Sequence, residues 1–218
     1  AVNAEGKAYI VDQSGWHLIL LAKNMQGYRN LCRIVSASFM EDSYYRRPRI
    51  DRDLLEEFHE GLICCSACLG GELPQKIMEG MSAMGGENGN VKSENFFQAA
   101  EETIEWYKNL FGEDYYIELQ DHGMAEQATV NTALMKMSKE LNIPLVATND
   151  VHYTYEDDVE AHDLLLCIQT GKKVTAEDRM RYDGGQYYVK SEEEMRALFP
   201  YAQEALDNGE TAVEILGN

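Results

Sequence analysis

Apolar residues along this chain recur in two rhythms. Short apolar runs, "HLILLA" at 17–22, "GLICC" at 61–65, "DYYIEL" at 114–119 and "IPLVA" at 143–147, predict strands at about 16–22, 62–66, 115–120 and 145–149. An earlier run, "KAYIV", joined to the first by the turn Asp12-Gln13-Ser14-Gly15, predicts a further short strand. The stretches between carry a helical period. In "NMQGYRNLCRIVSASFM", Tyr28, Leu31, Cys32, Val35 and Phe39 fall on one face. Val130, Leu134, Met137 and Leu141 do the same in "AEQATVNTALMKMSKELN".

Local signals set the boundaries. Asp51 caps "DRDLLEEF". Gly112 ends "FFQAAEETIEWYKNLF", and Gly171 follows the acid-led helix "YEDDVEAHDLLLCIQT". "GQYYVKSEEEMRALF" reads as a strand and then a helix opened by a Ser191/Glu194 capping box, and "AQEALDNGETAVEIL" reads as a last helix. The Gly, Ser and Asn in 80–95 predict a flexible insertion. Strands alternating with helices imply an α/β fold with a largely parallel sheet. Ligands in such folds gather beyond the carboxyl ends of the strands. That brings "SACLGGE", "ELQDHG" and "ATNDVHY" together.

Charge narrows the chemistry. Nineteen basic and 38 acidic residues leave a net charge of −19, a surface that repels phosphate backbones. Broad nucleic-acid binding by this chain alone is excluded on that ground, whereas a pocket neutralised by cations is not. Five cysteines at irregular spacing, in a chain long enough to build a core, point to a reducing, cytoplasmic setting. No apolar run approaches the roughly 20 residues of a membrane span. The N-terminus has neither a signal-peptide pattern nor an initiator Met, so the expectation is a piece of a longer protein. P-loop, dinucleotide and serine-hydrolase motifs are missing.

Asp150 and His152, two apart at a strand end, are both good ligands for zinc, manganese or iron. The spacing equally suits an Asp that caps the next turn beside an exposed His. Cys68 reads as a further thiolate ligand or as a small buried apolar residue. His17 reads as a ligand or as a structural strand-edge His. Cys64 and Cys65 are assigned to packing, and Asp121, His122, His162, Asp163 and His59 to loop or helix surface.

The ordered blocks "HLILLAKNMQGYRNLCRIVSASF", "GLICCSACLGGELP", "FGEDYYIELQDHG", "IPLVATNDVHY" and "AHDLLLCIQTGK" resemble the polymerase-and-histidinol-phosphatase (PHP) domain of bacterial replicative DNA polymerase alpha subunits. The resemblance runs from about residue 7 to about 215. It implies a distorted seven-stranded β/α barrel holding a cluster of divalent metal ions, zinc or manganese. Metal ligands would fall on His17, Cys68, Asp150 and His152, and no ligand on "QDHG". The family's opening H-x-H is absent, so the resemblance implies one PHP unit over 1–218, interrupted at 80–95, without its first strands or the polymerase domains.

The implied functions follow. In the complete protein the chain would serve a DNA-directed DNA polymerase, with a metal-dependent 3′→5′ exonuclease or phosphoesterase site. Its partners would be the rest of the alpha subunit, DNA through that subunit, and a proofreading exonuclease. A non-catalytic docking module and a free-standing histidinol-phosphatase-like enzyme are the alternatives.

Overall fold

Four strands, β1 (Ile19–Ala22), β2 (Leu62–Cys65), β3 (Tyr115–Leu119) and β4 (Leu145–Ala147), hydrogen-bond in chain order into one sheet. The structure, a computed structural model, describes residues 15–41, 43–44, 47–84 and 98–216. The strand expected within "KAYIV" and most of the 80–95 insertion lie outside them. Residues 80–84 belong instead to helix α3 (Glu72–Met84).

The parallel sheet expected from the alternation is mixed. β2, β3 and β4 are parallel, with Cys64 opposite Tyr115 and Ile117 opposite Leu145, whereas β1 runs antiparallel to β2 with Ile19 opposite Cys65. One helix between strands returns the chain to the end where it began, which gives a parallel neighbour. Two helices, α1 (Met25–Ser38) and α2 (Arg52–Phe58), separate β1 from β2, and two more separate β2 from β3, so the number of helices does not by itself decide strand direction. The antiparallel pairing places His17, just ahead of β1, at the end of the sheet where β2 finishes.

The helix α1 forms where its period predicts, but with another face inward. Gly27, Asn30, Ile34 and Ser38 are buried, while Tyr28, Val35 and Phe39 are 58%, 50% and 61% exposed. Backbone proximity decides the rotation. A Cβ on Gly27 would stand 1.8 Å from the Gly61 carbonyl oxygen, and Asn30 Nδ2 donates to the Glu60 carbonyl at 2.9 Å. Contacts this close outweigh the burial of a half-covered apolar stripe.

Helix α4 (Gln98–Phe111), α5 (Ala125–Leu141) and α3 cover one face of the sheet. Alternation along the strands sends Leu62, Cys64, Tyr115, Ile117, Leu119 and Leu145 into that core. The α5 residues Val130, Leu134 and Met137 are buried in it as their spacing predicts. Ile63, Cys65, Tyr116 and Val146 form a smaller cluster on the opposite face. Helix α6 (Val159–Thr170) ends at Gly171 with φ +66.

The strand expected in "GQYYV" is not one. Its carbonyls are used by side and main chains of another loop: Asn149 Nδ2 donates to the Gln186 and Tyr188 oxygens at 2.9 and 2.7 Å, and His152 N donates to Tyr187 O at 2.9 Å. The following helix, α7 (Glu192–Leu198), opens with the Ser191/Glu194 capping box, and α8 (Gln203–Leu216) lies along β4.

Candidate functional site

Three short segments meet beyond the carboxyl ends of β2, β3 and β4. The first is "SACLGG", residues 66–71. Ser66 N extends the ladder to Tyr116 O at 3.1 Å, and Ala67 then turns through φ +64, a left-handed conformation costly for a residue with a Cβ. Two glycines finish the turn: a side chain is excluded at Gly71 and crowded at Gly70. A Cβ on Gly71 would lie 2.2 Å from the Ser66 oxygen, and one on Gly70 would lie 3.1 Å from the His17 ring.

His17 is held across this turn by its own N–H, which donates to Gly70 O at 2.8 Å. The result is a side-chain pair 51 residues apart in sequence: His17 Nδ1 lies 3.2 Å from Cys68 Sγ. Cys68 is half-buried and His17 exposed. Burial, foremost, pushes the Cys68 thiol above its ordinary value. The charges of Asp150 and Glu118 add to the rise, and a backbone hydrogen bond from Gly70 opposes it. Asp150 therefore sits within electrostatic reach of the thiol.

The second segment follows β4. Asp150 adopts φ +42, a region that Asp tolerates better than most residues. His152 turns its Nδ1 to the Asp150 carbonyl oxygen at 2.6 Å. Its exposed ring lies 4.2 Å from that of Tyr182 and 5.8 Å from that of His162, centroid to centroid. The structure thus brings His17 onto Cys68 and sets Asp150 near them, with His152 anchored beside Asp150 among aromatic rings. Among the described residues, no three or more His, Cys, Asp and Glu side chains gather closely enough to hold a metal ion.

His122, in the third segment, is buried and fully engaged. Nε2 donates to Asn149 O at 3.0 Å, and Nδ1 accepts from Gln127 Nε2 at 2.8 Å. Its ring stacks on Tyr187 at 3.9 Å. Burial lowers its pKa from the ordinary imidazole value. Neither nitrogen is left for a ligand. Cys64 and Cys65 are buried in the sheet.

Reasoning from pattern passed over Glu118. It is 5% exposed, next to the last residue of β3, and accepts from Thr148 Oγ1, from Gln120 Nε2 at 3.0 Å and from Ala67 N at 3.1 Å. Burial raises its pKa, against the hydrogen bonds from Thr148 and Gln120. The signal was present in "YYIEL": a lone acid inside an apolar strand has to be paired.

Comparison with known proteins gives the family. A family model described as "PHP domain" matches residues 6–122, more than half of the chain. The chain is 46% identical over 193 residues to the DNA polymerase III subunit alpha of Borreliella burgdorferi, covering 88% of this chain and 15% of that relative. It is 42% identical over 193 residues to the subunit of the same name from Campylobacter jejuni, covering 88% and 16%. Against that from Thermus aquaticus it is 37% identical over 205 residues, covering 94% and 16%. The chain thus spans about one sixth of the length of these curated relatives. It belongs to the PHP domain family, and its similarity is to the PHP region of DNA polymerase III alpha subunits.

Proposed function

We propose that this chain is part of the PHP barrel of a replicative DNA polymerase alpha subunit, and that its strand ends contribute to a divalent-metal site for phosphodiester hydrolysis at a 3′ terminus. The observation that carries this reading is the contact of His17 Nδ1 and Cys68 Sγ beyond the sheet, with the Asp150 carboxylate in electrostatic reach. Structural residues chosen only for packing have no reason to pair an imidazole nitrogen with a thiol at an open strand end.

The donors suit zinc. Nitrogen and sulfur bound to one tetrahedral zinc at about 2.0 and 2.3 Å stand roughly 3.5 Å apart, and the His17–Cys68 separation of 3.2 Å is within a few tenths of that. His152 is oriented as a ligand is: ligating histidines commonly give one ring N–H to a carbonyl. Here Nδ1 faces the Asp150 carbonyl, and Nε2 is the nitrogen for a cation. A bound divalent ion supplies Lewis-acid stabilisation of charge on a phosphoryl group. His17, Cys68, Asp150 and His152 would hold such ions, with further donors supplied from outside the described residues. Burial favours the protonated thiol, which would have to release its proton for a cation to bind.

The reading is tested by adding manganese or zinc to the purified chain and following release of a labelled 3′ nucleotide from single-stranded DNA. This chain, with four donors and a −19 charge, is expected to release none, and the complete alpha subunit to release it. An Asp150→Ala change should abolish release by the complete subunit, and unchanged release would reject the assignment.

A second reading, a docking module without chemistry, draws on a different observation. Leu164, Leu165 and Ile168 on α6 are 51%, 59% and 78% exposed. An apolar helix face of this kind suits contact with the remaining polymerase chain or a proofreading exonuclease. Full nuclease activity in an Asp150→Ala, Cys68→Ser alpha subunit would favour it.

A further inference from the structure

We propose that Glu118 is a positioning residue: its buried carboxylate ties the backbone at Ala67 to the side chain of Thr148, and so sets the spacing of the loops that carry Cys68 and Asp150. The proposal rests on the reading above, that these two loops form one site.

The contacts are specific. Oε2 accepts from Ala67 N at 3.1 Å, one residue before Cys68. Oε1 accepts from Thr148 Oγ1, two residues before Asp150, and from Gln120 Nε2 at 3.0 Å. The Gln120 amide bridges to Thr148 Oγ1 as well, at 3.2 Å. The main chain acts in the same sense, with Glu118 N donating to Ser66 Oγ at 2.9 Å. Glu118 is thus linked to both loops through its own atoms.

Strain makes the link consequential. Ala67 and Asp150 both have positive φ, at +64 and +42. Such residues persist only where their surroundings over-determine them. Ala67, 3% exposed, has no side-chain hydrogen bond to hold it, and its N–H to Glu118 is the polar restraint next to Cys68. Every polar partner of the carboxylate is a donor. Thr148 Oγ1 can also accept, so a glutamine could keep part of the network, whereas a leucine of similar size removes both the Ala67 arm and the Thr148 arm.

The test uses Glu118→Leu and, as a milder change that cuts one arm, Thr148→Val, both in a Cys32→Ser background that removes the exposed cysteine. Three quantities are read at a temperature where circular dichroism shows the variants folded. Hydrogen exchange at the Ala67 amide should accelerate about tenfold or more in Glu118→Leu. Alkylation of Cys68 by iodoacetamide should change by about fivefold, because reactivity follows the thiol's surroundings. Cobalt(II) affinity should fall about 10- to 100-fold, the range for loss of a group that orients metal ligands. Thr148→Val should move all three less, in the same direction. A residue that only stabilised the fold would lower the melting temperature and leave these quantities unchanged in the folded protein. Unchanged Ala67 exchange and Cys68 alkylation in Glu118→Leu would overturn the proposal, whatever cobalt does. Altered exchange and alkylation in a chain that binds no cobalt would uphold the positioning role and reject the metal reading.

Discussion

The two faces of the sheet are built from the same strands and differ in what covers them. One face sends Leu62, Cys64, Tyr115, Ile117, Leu119 and Leu145 under α3, α4 and α5, in a single large cluster. The other sends Ile63, Cys65, Tyr116, Val146 and the acid Glu118 toward a groove of about 670 Å³, rimmed by Lys190, Glu192 and Glu210. The strands alternate regularly, so the difference comes from the helices and not from the strand sequences. It also divides the labour. The covered face supplies stability, and the open face carries the carboxylate that reaches the strand-end loops.

A matched pair of substitutions tests that division most strongly. Ile117 and Ile63 are each 0% exposed, on opposite faces. Ile117→Ala leaves a hole in a closed core and should cost about 4 kcal/mol, while Ile63→Ala borders an open groove that can relax or hydrate and should cost about 2 kcal/mol. Urea unfolding measures both. Equal losses would mean that the groove is as tightly filled as the core.

A smaller effect is expected at the junction of the sheet with the site. Burial holds the His122 pKa below the ordinary imidazole value of about 6.5. As pH falls through that value, the unfolded chain takes up a proton that the native ring refuses. Stability is therefore full above this range and declines on acidification, levelling off once the native ring also protonates. His122→Gln should be less stable than the parent at pH 7.5, with the gap narrowing at pH 5.5. A gap that widens on acidification would mean that the native ring is readily protonated. The smallest effect belongs to the rim of the groove. Ser191→Ala removes the cap of α7 and should cost about 1 kcal/mol in thermal or urea unfolding, with exchange rising in α7 and not in α4.

Much of this was legible in the sequence because it is local. Strand positions, the Asp51 and Ser191 caps and the inward face of α5 follow from periodicity and hydrogen-bonding chemistry within a few residues. Errors arose where distant contacts decide. The α1 face is turned by Gly61 and Glu60, some thirty residues away. The direction of β1 is set by its pairing with β2, some forty residues further on. "GQYYV" loses its ladder to the Asn149 side chain. For the candidate site, strand ends pointed to three loops that the structure brings together, but the His17–Cys68 contact depends on β1 being antiparallel, which no local pattern encodes. Glu118 was visible as an oddity in a strand, without its partners Ala67 and Thr148.

The central claim is that the strand-end pair His17 and Cys68 binds a metal ion. The direct measurement is zinc-edge X-ray absorption on the zinc-loaded chain, compared with Cys68→Ser. The account predicts a sulfur neighbour at about 2.3 Å alongside nitrogen or oxygen at about 2.0 Å, with the sulfur shell lost in the variant. A parent spectrum with only nitrogen and oxygen neighbours, or a sulfur shell that survives Cys68→Ser, would contradict it.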